Sequence, residues 1–157
     1  MIALLQRVSS AAVSVDGRII SEIQRGLLVF LCAVKGDSAK DLDYLAKKVL
    51  QLRIFEDAQG KMNLSVSDVR GAILVVSQFT LAASTRKGNR PSFDNAETPE
   101  AAKAWYDLFT KQLENAGLTT KTGVFGAMMD VSLVNDGPVT VWIDSRMPLD
   151  RGSSFSS

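Results

Sequence analysis

The sequence predicts an α/β domain in which mixed β-sheet layers carry two amphipathic helices on one side, a three-layer α/β/β arrangement. Residues 27–34 form an apolar run with no polar face, which is expected of a central strand that is covered on both sides. Two segments with apolar residues at helical spacing lie between groups of strands, an order typical of a mixed sheet. The sheet face opposite the helices also needs cover, from either a second sheet layer or a partner subunit.

The first half of the chain is predicted to contain a hairpin, the central strand, a helix and two short strands. Residues 2–8 and 11–23 form the hairpin, with Asp16-Gly17 as its turn. The helix starts at Asp37-Ser-Ala-Lys, and residues 53–63 form the two short strands around a turn. The buried side of this helix is expected to comprise Leu42, Leu45, Ala46, Val49 and Leu50.

The second half is predicted to contain a strand, a long polar segment, a second helix and two closing strands. The strand runs from Ala72 to about Leu81, and the polar segment covers residues 82–96. Thr98-Pro99-Glu100 starts the helix, because Thr is a good cap and Pro is favoured in the first turn. Residues 131–134 and 139–143 form a second hairpin. The helix is expected to bury Trp105, Leu108, Phe109, Leu113 and Ala116 and to end at Gly117.

Length, charge and hydropathy limit the classes of protein. The chain has 157 residues, which predicts one domain over residues 1–146 and a flexible Ser-rich tail over residues 147–157. A formal net charge of +1 provides no global basic field for nucleic-acid binding, so any RNA contact has to be local. No apolar run is long enough for a membrane span, and the amino terminus does not resemble a signal peptide. We therefore expect a cytoplasmic protein that does not contact a membrane.

The chain contains no histidine, which excludes Ser-His-Asp and Cys-His catalysis and the commonest zinc ligand sets. Its single cysteine, Cys32, lies inside the apolar run, where a buried thiol is expected rather than a nucleophile. No glycine-rich phosphate loop is found either. Neither a metal ion nor a cofactor is expected.

Three stretches are candidates for function. In Ser77-Gln-Phe-Thr-Leu81, strand alternation places Gln78 and Thr80 on one face and the other three residues on the opposite face. By pattern alone, a strand end that meets solvent explains this polarity more simply. Gly137-Pro138, in a turn, can present bare backbone in a fixed shape to a ligand or a second chain. The basic cluster Arg86-Lys-Gly-Asn-Arg90 suits a phosphate-bearing substrate, although solvated loops often have this composition.

Two of these stretches, Ser77-Gln-Phe-Thr-Leu81 and Asn135-Asp-Gly-Pro-Val-Thr140, closely resemble motifs of the D-aminoacyl-tRNA deacylase family. Lesser matches occur in the expected order at Met1-Ile-Ala-Leu-Leu-Gln-Arg-Val8, Lys61-Met-Asn-Leu64 and Arg90-Pro-Ser-Phe93. The resemblance implies a homodimeric hydrolase, closed by dimerisation and without a cofactor. Its reaction would be cleavage of the ester between a D-amino acid and the terminal adenosine of tRNA, a step of translation quality control.

The resemblance also implies roles for individual residues. The segment Ser77 to Leu81 would line the catalytic pocket, with Ser77, Gln78, Phe79 and Thr80 as its catalytic residues, and Met129 would lie near the adenosine. Gly137-Pro138, with a cis peptide bond, would enter the active site of the other subunit and reject L-amino acids. A rigid wall on one side of the α-carbon admits glycine as well, so glycine mischarged on alanine tRNA is an expected substrate.

Ester hydrolysis needs a positioned water or nucleophile and donors for the developing oxyanion. The backbone N–H groups of Phe79 and Thr80 are candidate donors. Thr80 could be a nucleophile only with a base beside it. The candidate bases are Asp130, Asp136 and Lys87, but the sequence does not show whether any of them lies beside Thr80. The family resemblance instead implies that the ribose 2′-hydroxyl of the substrate assists the water, with Thr80 and Gln78 as positioning residues.

Two other functions are compatible with the residues. One is a non-catalytic dimer that binds RNA or protein through the basic loop at residues 86–90 and an exposed sheet face, and that leaves the aminoacyl ester intact. The other is an esterase or amidase that acts on free D-amino acid derivatives without the nucleotide.

Overall fold

The structure, a computed structural model, describes residues 1–146, so the predicted tail over residues 147–157 lies outside the described residues. A short 3₁₀ helix, Phe79–Ala82, follows the sixth strand. The strands and α-helices are, in chain order, β1 Ile2–Val15, β2 Arg18–Ile23, β3 Gly26–Cys32, α1 Ala39–Gln51, β4 Phe55–Glu56, β5 Met62–Leu64, β6 Ala72–Ser77, α2 Pro99–Asn115, β7 Thr120–Thr122 and β8 Asp130–Asp144.

The main sheet is mixed, as predicted, and it curls around the long strand β1. Its order is β2-β1-β3-β6-β7, with β8 paired to β1 outside this path. The β3–β6 and β6–β7 pairs are parallel, and the three pairs that involve β1 are antiparallel. The first half of β1 pairs with β3 and its second half with β2, while β8 runs along nearly all of it. The result is a nearly closed, barrel-like arrangement.

The two faces of the central strands β3 and β6 belong to two different cores. One face packs Leu27, Val29 and Val75 against the two helices. The opposite face packs Leu28 and Leu74 against the second half of β1 and against β2. The cover that the sequence required on this face is therefore a second sheet layer formed by the same curled sheet.

The amino-terminal hairpin is confirmed, with one change. Asp16 and Gly17 have φ angles of 49° and 73°, the left-handed conformation that two-residue hairpin turns require. The predicted break between residues 8 and 11 is absent, because β1 continues through it as one strand. A continuous β1 is what lets one strand contribute to both sheet layers.

The helix starts are confirmed, and in α1 the Asp41 side chain reaches back to the cap residue Ser38. Both the backbone N–H and the hydroxyl of Ser38 donate to Asp41 Oδ2, at 2.9 and 2.6 Å. The bond from the Ser38 hydroxyl, together with a bond from the Ser145 hydroxyl at 2.7 Å and that from the Ser38 N–H, lowers the pKa of Asp41 to about 2. In α2, Pro99 is the first residue and the Thr98 hydroxyl accepts from the Ala101 N–H at 3.4 Å. Gly117, with a φ of 83°, follows the end of this helix as predicted.

The predicted buried stripe of α2 is partly wrong. Phe109 and Leu113 are buried, but Leu108 is 53% exposed and Ala116 is exposed. Trp105 is only half-buried. The helix is rotated so that its buried residues are Tyr106, Phe109, Thr110 and Leu113, which share one face at helical spacing. This rotation lets the Tyr106 hydroxyl donate to the Val75 carbonyl in the core at 2.7 Å.

The second predicted hairpin is wrong, because the two closing strands are one strand, β8. The turn-like residues form a bulge in it. β8 advances from Asn135 to Thr140 while its partner β1 advances only from Val8 to Gln6. The strand thus keeps its direction, and the residues between Asn135 and Thr140 lie outside its pairing with β1. Among the helices of residues 1–146, none has the length and hydropathy needed to cross a membrane.

Candidate active site

The site lies where β6 ends, and it ends earlier than predicted. β6 stops at Ser77, and the backbone then turns into the 3₁₀ helix, so the strand alternation expected up to Leu81 is wrong beyond Ser77. Ser77 pairs with Leu31, and the Gln78 N–H donates to the Leu31 carbonyl at 2.8 Å. β3 ends one residue later, at Cys32, so the chain has no neighbouring strand with which to continue the ladder.

A cavity of about 610 Å³ opens at this strand end. Its wall includes most of the pocket residues implied by the resemblance, namely Ser77, Gln78, Phe79, Thr80 and Met129, but not Leu81. The end of β3, the first turns of α2 and the loop at residues 125–129 complete it. The lining is mostly apolar with a few polar groups at one side, which is the usual composition of a small-molecule site.

Gln78 and Thr80 form the polar edge of the cavity. The Gln78 side-chain amide donates to Thr80 Oγ1 at 2.5 Å, so this hydroxyl oxygen is engaged as an acceptor. Within the described part of the chain, the backbone N–H groups of Phe79 and Thr80 make no hydrogen bond. They are the first amides of a helical turn, which have no partner inside the turn. These two donors, unpaired among residues 1–146, belong to residues that line the cavity.

Two buried groups in the cavity wall, a thiol and a phenol, are held in their neutral forms. Cys32 is 1% exposed, as predicted, and its thiol lies 3.6 Å from the Phe79 carbonyl. Burial raises the pKa of this thiol to about 11. Burial also raises the pKa of Tyr106, whose hydroxyl already donates to Val75. Neither group is a nucleophile or a base at neutral pH.

The bases offered by the sequence are not in the cavity wall, since Asp130, Asp136 and Lys87 are absent from its lining. The carboxylate that does line it is Glu97, which sequence reasoning missed. One of its oxygens accepts from the Thr98 N–H at 2.9 Å. Glu97 directly precedes the cap of α2 and belongs to no recognisable motif, so only the folded geometry identifies it.

Met129 is held against the cavity by the segment that precedes it. A Cβ atom at Gly123 would lie 2.7 Å from the Met129 sulfur, so glycine at this position leaves room for the side chain in the position it occupies here. The neighbouring Phe125 ring contacts Tyr106, with ring centroids 5.8 Å apart. The loop thus closes one side of the cavity with an adaptable thioether and an aromatic ring.

Gly137 and Pro138 are not in this cavity. They lie exposed in the bulge of β8, joined by a cis peptide bond. Asn135 braces the bulge internally, because its side-chain oxygen accepts from the Val139 N–H at 2.8 Å and its amide donates to the Thr140 hydroxyl at 3.0 Å. These bonds account for the Asn and the Thr of the motif. The bulge is therefore an ordered projection rather than a loose turn.

Arg7 anchors the bulge from the core side and was also missed by sequence reasoning. This side chain is almost fully buried, at 4% exposure. Its Nε donates to the Asp136 carbonyl at 2.9 Å, and its Nη1 donates to the buried Ile54 carbonyl at 2.7 Å. The signal that could have identified it is strand alternation, since Arg7 shares the inward face of β1 with buried Leu5.

Across residues 1–146, no group of three or more His, Cys, Asp and Glu side chains is arranged to hold a metal ion. The chain itself matches a known family: residues 4–144 match the family model described as D-Tyr-tRNA(Tyr) deacylase. The chain belongs to this family. The resemblance inferred from the two motifs is thereby confirmed.

Curated relatives of this deacylase family match the chain over most of their length. A D-aminoacyl-tRNA deacylase of Ruegeria sp. (strain TM1040) is 57% identical over 145 residues, which are 92% of this chain and 93% of the relative. A D-aminoacyl-tRNA deacylase of Geotalea uraniireducens (strain Rf4) is 52% identical over 153 residues, 98% of this chain and 99% of the relative. Among solved structures, the c-Myc DNA unwinding element binding protein has a TM-score of 0.87 at 44% identity, covering 92% of this chain and 98% of that chain.

Proposed function

We propose that this chain hydrolyses D-aminoacyl-tRNA in the cavity at the end of β6, with the ester bound against the segment Ser77 to Thr80. Its family makes the chain a D-aminoacyl-tRNA deacylase, a hydrolase of translation quality control. The observation that supports the location is the pair of free backbone donors, Phe79 and Thr80, at the edge of an apolar cavity. The products are a free D-amino acid and tRNA.

In the proposed reaction, water adds to the ester carbonyl while the N–H groups of Phe79 and Thr80 stabilise the oxyanion. Such donors commonly provide the largest part of the rate enhancement in acyl transfer. Collapse of the intermediate breaks the bond to the ribose oxygen, which leaves with a proton. The neighbouring ribose 2′-hydroxyl orients the water, so the protein has to position the substrate and exclude bulk solvent.

Thr80 is assigned to positioning. A nucleophilic hydroxyl needs a base that accepts its proton. Thr80 Oγ1 instead receives a hydrogen bond from Gln78, which draws electron density away from the oxygen. We assign Gln78 to holding Thr80, and Met129 to contact with the terminal adenosine.

Chiral selection is assigned to Gly137 and Pro138 of a second subunit. The exposed, braced bulge outside the cavity of its own chain is the arrangement that such an exchange needs. Inverting the α-carbon exchanges the side chain with hydrogen, so a rigid wall rejects L-amino acids and admits D-amino acids. Glycine has no side chain to reject, and glycyl-tRNA, including glycine mischarged on alanine tRNA, is therefore a proposed substrate.

The proposed homodimer has an apolar surface on β8 available to it. Val134 and Trp142 are 57% and 46% exposed on this strand, on either side of the bulge. Sedimentation should show a dimer, and Trp142→Glu should weaken it and loosen the rejection of L-aminoacyl-tRNA. A wild-type monomer that fully rejects the L-substrate would overturn this part of the proposal.

One assay separates the three functions. Ester loss is followed with D-aminoacyl-tRNA, its L counterpart and a simple D-amino acid methyl ester. The proposed function predicts rapid loss from the first substrate alone. Binding of tRNA without ester loss would favour the RNA-binding module, and turnover of the methyl ester would favour an esterase for free D-amino acid derivatives.

The role of Thr80 is tested by a matched pair of variants. Thr80→Val keeps the shape without the hydroxyl, and Thr80→Ser keeps a hydroxyl. We expect both, like Thr80→Ala, to retain measurable deacylation. An acyl-Thr80 intermediate trapped in the wild type would overturn the positioning role.

The role of the substrate hydroxyl is tested at Glu97. A general base contributes roughly 10²- to 10⁴-fold. If the ribose hydroxyl assists the water, Glu97→Gln should lower kcat by less than about tenfold, while a 2′-deoxy terminal adenosine should lower it far more. A loss above 100-fold in Glu97→Gln, with a changed pH profile, would make Glu97 the base instead.

A further inference from the structure

The segment Ser84 to Ser92, here called the basic hairpin, projects from the rim of the cavity. The N–H of Ser84 donates to the Ser92 carbonyl at 2.7 Å, and the N–H of Ser92 donates to the Ser84 carbonyl at 2.9 Å, so its two ends are held together. The chain enters it from Thr80 and leaves it toward Ala96, and both of these residues line the cavity. Whatever occupies the cavity therefore lies next to the base of the hairpin.

The basic hairpin concentrates positive charge in a chain that has little of it. It contains Arg86, Lys87 and Arg90 and no acidic residue, whereas the whole chain has a net charge of only +1. All three side chains are exposed. Over residues 1–146, none of them lies within 4.0 Å of a carboxylate. The nearest acid in sequence, Asp94, is engaged by the Ser92 hydroxyl at 2.6 Å.

An aromatic pair links the hairpin to the mouth of the cavity. The Phe79 and Phe93 rings meet edge to face with centroids 5.0 Å apart. Phe79 lines the cavity and is 56% exposed. Exposed aromatic rings beside a cationic track are the combination that single-stranded nucleic acids favour, because bases stack and phosphates bind the cations. With three residues on each side of Gly88, the hairpin can extend at most roughly 10 Å from the closing pair, at about 3.3 Å per residue.

We propose that the basic hairpin binds the backbone phosphates of the tRNA 3′ strand that precede the terminal adenosine. This inference rests on the proposed function for the position of that adenosine. With the adenosine in the cavity, the preceding nucleotides leave through its mouth and pass Phe79 and the three cations. The cavity then recognises the aminoacyl ester, and the hairpin recognises the polyanion attached to it.

The test compares a full substrate with a minimal one that has no phosphates. The triple variant Arg86→Gln, Lys87→Gln, Arg90→Gln should lose at least tenfold in kcat/KM on D-aminoacyl-tRNA and less than twofold on 3′-D-aminoacyl-adenosine. A double variant at Arg86 and Lys87 alone keeps Arg90-Pro91 intact and should show a smaller loss of the same kind. The matched control neutralises three exposed lysines on α1 and α2 instead: Lys40, Lys47 and Lys111.

Salt dependence provides a second readout. Each phosphate contact on a single strand contributes about −0.7 to the slope of log affinity against log salt. Three contacts predict a slope of about −2, or about a 20-fold loss of affinity for tRNA without an attached amino acid between 50 and 200 mM salt. The triple variant should flatten this slope, and the control should not.

The outcomes are distinguishable from failure of the proposed function. Equal losses on both substrates, equal losses in variant and control, or an unchanged salt slope would each overturn the role of the hairpin. A wild-type protein that hydrolyses neither substrate would overturn the proposed function. In that case tRNA binding, which needs no hydrolysis, still decides whether the hairpin contacts RNA.

Discussion

Arg7 provides the sharpest test of the proposed chiral selection by the bulge, because its two hydrogen bonds diverge from one planar guanidinium. Nε holds the Asp136 carbonyl and Nη1 holds the Ile54 carbonyl. In Arg7→Lys, the single ammonium nitrogen can satisfy only one of these at a time. The Ile54 bond is buried, whereas the Asp136 bond is partly accessible to water. We therefore expect the lysine to keep the hydrogen bond to the Ile54 carbonyl and to lose the bond to the Asp136 carbonyl that anchors the bulge.

The size of the effect follows from the lost bond. A hydrogen bond from a charged donor contributes about 1.5–3 kcal/mol, so Arg7→Lys should lower the free energy of unfolding by about 2 kcal/mol. Domains have roughly 5–15 kcal/mol of stability, and the variant should fold. At about 1.4 kcal/mol per factor of ten, a loss of 2 kcal/mol would raise the population of a displaced Gly137-Pro138 by up to about 30-fold. The ratio of kcat/KM for D- over L-tyrosyl-tRNA should fall by roughly 10- to 30-fold.

The assay measures deacylation of both labelled substrates, together with urea unfolding of the same preparations. Glu56→Gln is the matched control, since Glu56 is 57% exposed and lies 4.0 Å from Arg7. It should change neither stability nor selectivity. If Arg7→Lys loses the expected stability but keeps the wild-type ratio, then the residues anchored by Arg7 are not the chiral wall.

Three further predictions concern the fold and the cavity wall. Leu113→Ala should cost about 3 kcal/mol in urea unfolding, because Leu113 is fully buried, whereas Leu108→Ala at 53% exposure should cost less than about 0.5 kcal/mol; similar costs would contradict the observed rotation of α2. Asp41→Asn should destabilise the protein by about 1 kcal/mol at pH 7 through the lost cap. The folded pKa of Asp41 is lowered to about 2, so its contribution is present above the unfolded value near 3.8 and is lost as the pH falls through 2; a difference as large at pH 2 as at pH 7 would contradict this. Cys32→Ser should retain activity, and Cys32 should resist alkylation at pH 8, because burial raises its pKa to about 11; rapid alkylation with loss of activity would make the thiol functional.

Elements whose signals are local could be predicted from the sequence, and elements whose limits are set by a neighbour could not. Asp16-Gly17 and Thr98-Pro99 fix a turn and a helix start by their own backbone preferences. The end of β6 depends on where β3 stops offering a partner, which the alternation of polar and apolar residues cannot reveal. The continuity of β8 likewise depends on β1 as a template beyond the bulge.

The candidate site divides in the same way. Ser77 to Thr80 and Met129 do line one cavity. Only the family resemblance predicted this, because the residue pattern alone favoured a strand end in solvent. Glu97 has no motif and becomes visible only because α2 starts beside the cavity. Arg7 could have been identified from the sequence, because it is a cation at an inward-facing strand position. A buried charge needs polar partners, and here they are the Asp136 and Ile54 carbonyl oxygens.

The proposed function places hydrolysis and chiral choice in separate parts of the chain, and this separation can be measured. The cavity wall comes from β3, β6, α2 and the loop before β8. Gly137 and Pro138 lie instead in the bulge, which Arg7 anchors through the Asp136 carbonyl. Under the proposed function, changes at Gln78 or Thr80 should alter the rates for D-aminoacyl and glycyl esters together. Changes at Arg7 should leave those two rates nearly unchanged and raise only the rate for L-aminoacyl esters. A mutation that moved all three rates in proportion would mean that one rigid site performs both tasks, and the division between cavity and bulge would have no functional meaning.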